Sequence, residues 1–410
     1  MTCVPKSDAD APAWPRPAPA AIRQVKRSSP SATASHWRTL KRRGLVDEAD
    51  EAELLDAKAR ADLSAYNRNI ENYIGTLKVP VGVIGTLLVR GGFAKGDCYL
   101  PLATTEAALV ASYGRGARLI SAAGGCEAAL TAEAVQRAPA FGFASVGQAA
   151  AFAAWVMDNF ARLKAAADAT SSHGRLTAID PMVEGDSVYL LCSFTTGDAA
   201  GQNMVTFAAS ALCAALLEAC PIRPAHWFLE ANLSGDKKAA AANLARVRGR
   251  KVTACIEIED ALIRRVLHTE PARMERLWRM SAMGGAISGA IGLQGHYANG
   301  LAALYLATGQ DVACVAESAI GVTRMEMRDG GRLFASVTLP GVMVGTVGGG
   351  TQLPSQSAAL NIVGLKGSGG ARALAELCAA LCLAGELSIS GALCAGEFAS
   401  AHKRLARART

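Results

Sequence analysis

Ser234-Gly235-Asp236-Lys237-Lys238 sets two lysines beside an aspartate, between apolar segments. Read locally, the run is either a solvated turn or a site where a carboxylate keeps a buried Lys charged. A Lys of the second kind stabilises the oxyanion that forms on a reacting carbonyl. Glu106 ends Pro101-Leu102-Ala103-Thr104-Thr105-Glu106, in the expected first turn of an apolar helix over Thr104–Ile120. A carboxylate there either complements the helix dipole or, once desolvated, serves as a proton donor. Asp311 closes the uncharged stretch Met280 to Gln310. It is either the point where the chain reaches solvent or a buried acid with a partner. Asp236, Lys237, Asp311 and Glu106 together would make a charge-balanced catalytic cluster. His402 stands in the tail Ala401-His402-Lys403-Arg404. An imidazole titrates near neutral pH, which suits protonation of a leaving group.

Two glycine-bearing loops add binding capacity. Gly345-Thr346-Val347-Gly348-Gly349-Gly350-Thr351 permits close backbone approach to a ligand. It fits neither the dinucleotide fingerprint nor the phosphate loop. Gly197-Asp198-Ala199-Ala200-Gly201-Gln202-Asn203 joins a strand to a helix. It is a plain turn or a helix N-terminus that holds a phosphate.

Positioning these groups takes a large core. The 410 residues are 51% hydrophobic and 19% charged, which excludes a disordered chain. Abundant Ala and Gly point to close helix packing. The charge-free stretches Met280–Gln310 and Leu333–Leu365 set membrane against buried core. A spanning helix needs about 20 apolar residues. Gln294, His296 and Asn299 interrupt the first stretch, and Pro340, Gln352, Pro354 and Gln356 the second. Core is therefore the reading, with Met280–Gln310 a buried helix leading to Asp311, and no membrane span is expected. No apolar run stands near Met1, so no secretory signal is expected. Eleven Cys without a CxxC pair indicate reduced thiols and a cytoplasmic enzyme. The net charge of +7 includes basic tails with no interleaved aromatics, which argues against nucleic-acid binding.

Residues 1–35, rich in Pro, Ala and Ser, are expected to be a disordered tail. Leu45–Tyr66 reads as helix, within a helical N-terminal domain over 36–70. Val79–Val89 reads as strand and loop. Residues 139–228 form a separate unit: a long helix over Val146–Ala167, a strand at Ser187–Thr195 and a helix from Gln202 to Cys220. Strands follow at Val252–Ile258 and Ala335–Leu339, and the last helix begins at Ala371. The fold class is α+β.

These segments, in this order, resemble 3-hydroxy-3-methylglutaryl-CoA reductase in its class I form, from about Glu71 to His402. Glu71-Asn72-Tyr73-Ile74-Gly75 with Val79-Pro80-Val81-Gly82-Val83 is similar to the family's dimer signature. Pro101–Glu106 with Arg115-Gly116 resembles its catalytic-glutamate segment. Asp198–Met204 resembles its cofactor motif, and Asp236-Lys237-Lys238 its lysine loop. His296, Asn299 and Gly309-Gln310-Asp311 resemble its aspartate segment, Gly345–Thr351 its glycine loop, and Gly385-Glu386-Leu387-Ser388 its C-terminal helix.

The resemblance implies a large substrate and CoA domain, residues 71–138 and 229–410, around a long buried central helix. It also implies an inserted ferredoxin-like domain, residues 139–228, that binds NADPH, with NADH not excluded. The implied reaction reduces 3-hydroxy-3-methylglutaryl-CoA to mevalonate with two NADPH and release of CoA, in a homodimer or homotetramer. By matching position, Lys237 would stabilise the thioester oxyanion, Glu106 would donate a proton, Asp311 would set the protonation of both, and His402 would protonate the CoA thiolate. Arg137, Asp236, Lys238 and Arg279 would contact substrate. Ser171, Ser172, His173, Asp198 and Asn203 would contact cofactor. The chain departs from the family at three places. Glu230 replaces a Ser that contacts the substrate carboxylate. A substrate Lys is missing, with Arg276 or Arg279 nearby. Ser171-Ser172-His173 replaces Ser-Arg-Phe at the 2′-phosphate motif, with Arg175 close by.

Overall fold

The structure, a computed structural model, describes residues 28–397. The chain divides into two compact units after Lys78.

The first unit is helical. Residues 30–35 of the expected tail over 1–35 are helical instead, in a helix that runs Pro30–Arg42, and residues 1–27 lie outside the described residues. Ser29 accepts the Ala32 N–H and Pro30 presets the first turn, which is a strong start signal. Thr33 and Trp37 bury on this helix and donate to the carbonyls of Tyr73 and Ile74. The expected continuous helix over Leu45–Tyr66 is three short ones, Glu48–Leu54, Ala57–Ala61 and Leu63–Tyr66. Asp47 and Asp56 take N-cap positions, where their side chains bond backbone N–H groups that a helix interior would not offer. Trp37, Leu55, Ala59, Leu63 and Tyr73 fill this small core.

The second unit is built on antiparallel strands. Strand β1 (Val81–Gly91) pairs antiparallel with β2 (Lys95–Ala103) and, at its end, parallel with β3 (Cys126–Arg137). The last residues of β3 join a second group: β4 (Ala140–Gly142), β5 (Arg175–Glu184), β6 (Ser187–Thr195) and β7 (His226–Phe228). These four pair antiparallel in the order β7-β4-β6-β5. Helices Val146–Asp158, Phe160–Asp168 and Gln202–Ala219 pack on and around them. The single helix expected over Val146–Ala167 breaks at Asn159, whose side chain bonds back to the Trp155 carbonyl. The chain then returns with β8 (Gly249–Ile258), β9 (Val322–Met327) and β10 (Leu333–Val342). Strand β8 lies between β3 and β10, and β9 forms the edge.

On β10, Leu333, Ala335, Val337 and Leu339 alternate inward, as a half-buried strand requires. The core they enter is filled by the central helix Ala371–Ala395, which packs on β3, β8, β10 and the helix Leu109–Ala122. Small residues set that spacing. A Cβ at Gly116 would overlap the Ala384 carbonyl, and Gly300 and Gly385 leave room for the Tyr113 ring. Two acids are buried on this apolar helix. Glu376 accepts the N–H groups of Gly92, Phe93, Ala94 and Leu130. Glu386 accepts those of Gly295 and His296 and the Thr323 hydroxyl. Each satisfies orphan backbone donors that burial would otherwise leave unpaired.

Two helices, Gln202–Ala219 and Ala371–Ala395, are long and apolar enough to cross a membrane. The second is 83% buried in the chain's own core. The charge-free stretch Met280–Gln310 corrects an expectation. It is not one buried helix. Helix Pro271–Ser288 stops at Gly289 in the left-handed region, a loop follows, and only Tyr297–Thr308 is buried. Met280, Met283 and Ile287 are 70%, 63% and 81% exposed, so absence of charge does not there mark interior.

Candidate active site

The lysine loop follows β7 and turns sharply. Asn232, Gly235 and Lys237 all have positive φ, 66°, 69° and 54°. Lys237 Nζ lies 2.8 Å from Asp311 Oδ2, with both side chains about half exposed. The hydrogen bond to Asp311 raises the lysine's pKa against the opposing effect of burial, so the ammonium stays charged. Asp311 is itself fixed from behind. Gly309 ends the preceding helix in the left-handed region, and Asp311 Oδ1 accepts the Ala313 N–H. Gln310 exchanges two hydrogen bonds with the Gly345 backbone, tying Asp311 to the glycine loop.

Asp236 is clasped by Arg137 Nη1 at 2.8 Å and by Arg248 Nη2 at 2.5 Å. Burial works against its charge, but Arg248 and Arg137 outweigh it and hold the carboxyl below its ordinary value. Lys238 Nζ donates to the Asp236 carbonyl and closes the turn. Glu230 does not stand free in the loop. One oxygen accepts from Asn232 N and Ser234 Oγ; the other accepts from Ala138 N and lies 3.8 Å from Arg137.

Glu106 is not in a first helical turn. Thr104 Oγ1 accepts the Glu106 N–H, Ala108 turns left-handed, and the helix starts at Leu109. Glu106 is exposed and both its oxygens accept from Asn299 Nδ2, at 3.3 and 3.1 Å. Glu106 and Asn299 line a cleft of about 470 Å³ with Leu306, Val312 and Val315. The cleft thus joins the glutamate to the segment that begins at Asp311.

The cofactor-motif loop meets the glycine loop. A Cβ at Gly345 would overlap the backbone of Ala199 and Ala200, and Thr346 N donates to the Asp198 carbonyl. The Asp198 carboxylate points elsewhere, to Gly369 N and Ala371 N at the start of the central helix. Asn203 is exposed in the first turn of Gln202–Ala219. Ser171 Oγ accepts from His173 N and Gly174 N. Arg175 donates to the carbonyls of Ser171, Ser172 and Gly174, so its guanidinium is wrapped on its own loop. Arg279 pairs with Glu275 on the exposed helix Pro271–Ser288. His402 lies outside the described residues.

Sequence reasoning missed three groups that converge here. Gln202, Arg248 and Glu317 surround the Arg137–Asp236 pair. Arg248 sits among other arginines in Arg246-Val247-Arg248-Gly249-Arg250, where no single one stands out. Glu317 gave a usable signal, as a lone acid in Val315-Ala316-Glu317-Ser318. Among the described residues no His, Cys, Asp and Glu cluster is arranged to hold a metal.

The family model for hydroxymethylglutaryl-coenzyme A reductase matches residues 38–407. The 3-hydroxy-3-methylglutaryl-coenzyme A reductase of Haloferax volcanii is 43% identical over 373 residues, covering 89% of this chain and 92% of that protein. That of Methanothermobacter thermautotrophicus is 44% identical, covering 84% and 86%. A class II reductase of Streptococcus pneumoniae, solved bound to NADPH in open conformations, shares the fold. Its TM-score is 0.63 at 19% identity, over 88% of this chain and 86% of that one. A match spanning both units and every site segment described above has one consequence: the chain belongs to the hydroxymethylglutaryl-coenzyme A reductase family.

Proposed function

We propose that the protein reduces 3-hydroxy-3-methylglutaryl-CoA to mevalonate and CoA, using NADPH. The observation that carries this reading is the Lys237–Asp311 pair at 2.8 Å, on a segment that shares a cleft with Glu106 and Asn299. Thioester reduction develops negative charge on the carbonyl oxygen, so a charged Lys is the group required. Lys237 stabilises that oxyanion, and Asp311 keeps Lys237 protonated and aimed. Glu106, oriented by Asn299, donates the proton to the aldehyde-level oxygen. His402 protonates the thiolate that leaves. Arg137, Asp236 and Lys238 shape the acyl side of the lysine loop. Cofactor oxidation on addition of 3-hydroxy-3-methylglutaryl-CoA tests the reading; no turnover with NADPH or NADH overturns it.

The nicotinamide cofactor supplies hydride when bound. The residues fit such a ligand: Gly348 and Gly349 of the glycine loop have open space where a side chain would stand, and Asn203 is exposed. Asp198 acts there through its carbonyl and its hold on the central helix. We read residues 139–228 as the inserted ferredoxin-like domain. Support comes from the order strand, helices, strand, strand, helix, strand, and from the antiparallel arrangement β7-β4-β6-β5. Ser171, Ser172 and His173 would face the adenosine end. With Arg175 engaged by its own loop, NADPH and NADH are to be compared directly.

Glu230 favours no second acyl substrate in this geometry, because both of its oxygens are engaged by the loop. Improved turnover after Glu230→Ser would instead favour a different acyl-CoA. A homodimer or homotetramer is supported by the exposed apolar residues Met280, Met283 and Ile287. A cytoplasmic location is supported by the ten cysteines of the described residues, all free.

A further inference from the structure

We propose that Arg248 and Glu317 are positioning residues for Lys237, a buried ion pair beneath the lysine loop that fixes its backbone. The proposal rests on the role of Lys237 given above. Arg248 and Glu317 side chains are 1% and 0% exposed, and Arg248 Nε lies 3.4 Å from Glu317 Oε1. Arg248 Nη2 donates to Asp236, the residue that precedes Lys237. Arg137 holds the other oxygen of Asp236 from strand β3. Both guanidiniums also reach Gln202 Oε1, at 3.4 and 3.5 Å. The loop end is therefore clamped by groups from β3, from the start of β8 and from the helix Gln202–Ala219.

Packing alone does not account for Glu317. Neither of its oxygens has a hydrogen bond of ordinary geometry, although both are buried. A buried carboxylate so poorly satisfied is unfavourable. What the site does contain is a strained neighbour: Lys237, a non-glycine residue at φ 54°. Such a conformation persists only where its surroundings impose it. Burial pushes the Glu317 carboxyl up, while Arg248 and the Lys237 backbone N–H pull it back. Glu317 thus stands against Arg248, and Arg248 with Arg137 holds Asp236, the residue before Lys237. With the backbone held, Nζ stands 2.8 Å from Asp311.

The test compares the full chain with Glu317→Gln and with the double variant Arg248→Met/Glu317→Leu. Steady-state reduction of 3-hydroxy-3-methylglutaryl-CoA is expected to lose about 10- to 100-fold in kcat, as misplacement of a catalytic group does. KM for both substrates is expected to stay within about twofold. A second readout needs no substrate. Labelling of Lys237 by an amine-reactive reagent, measured by mass spectrometry against exposed Lys95, is expected to speed up several-fold in both variants. Wild-type kcat in the folded double variant, or an unchanged Lys237 labelling rate in folded Glu317→Gln, overturns the proposal. If the double variant does not fold, Glu317→Gln decides. If the wild type reduces no acyl-CoA, the reading of function fails, and the labelling rates still decide the positioning claim.

Discussion

Lys237 combines a left-handed backbone with an ammonium held 2.8 Å from Asp311. Removing the ammonium removes the proposed oxyanion partner, so Lys237→Ala is expected to lower kcat by about 10²- to 10³-fold or more. Circular dichroism should show an intact fold, because the side chain is half exposed. Asn299→Ala frees Glu106 and is expected to lower kcat by about tenfold, a part of the roughly 10²- to 10⁴-fold that general acid catalysis contributes. Asp236 gives a pH signature. Its folded pKa lies below its ordinary value of 3.8, since Arg248 and Arg137 outweigh the burial that opposes its charge. A depressed carboxylate contributes stability above its ordinary pKa and loses it as pH falls through the folded one. Denaturation midpoints should therefore drop below about pH 4, and Asp236→Asn should flatten that acid limb. Asp236, Lys237 and Asp311 were legible in the sequence because charge stands out against apolar flanks. Arg248 was not, since only the fold shows that Arg248 and Arg250 point inward, and Glu317 offered only the signal of a lone acid.

Elements position these groups by a few backbone choices. Ala108 in the left-handed region delays the helix to Leu109 and leaves Glu106 on a loop facing Asn299. The sequence pattern placed that helix correctly but not its start, which depends on the Thr104 hydroxyl taking the Glu106 N–H. The strand Ser187–Thr195 was legible residue for residue, through its β-branched and aromatic run. Strand β3 was not: Cys126–Arg137 is rich in Ala and Glu, and its pairing with β1, β6 and β8 decides its state. The central helix was visible as apolar, yet the purpose of its two acids was not. Glu376 satisfies four backbone donors, so Glu376→Ala is expected to cost about 2–4 kcal/mol. Urea denaturation of the variant measures this, and an unchanged midpoint would contradict the capping role.

At the scale of the molecule, the charge-free stretches have separate uses. Leu333–Val342 and the glycine loop lie in and beside the core, whereas Met280–Ile287 presents apolar side chains outward. Periodicity and composition cannot separate those cases, because both read as uncharged. If the outward row is a subunit contact, Ile287→Asp should shift the sedimentation mass toward the monomer while the monomer stays folded. The central claim is a thioester reduction that passes through two hydride transfers. Its most direct measurement is stoichiometry: purified protein, limiting 3-hydroxy-3-methylglutaryl-CoA and excess NADPH, with cofactor oxidation and free thiol followed together. The account predicts two NADPH oxidised for each CoA thiol released, and mevalonate as the product. Thiol release without cofactor oxidation, or no reaction with either NADPH or NADH, would contradict it.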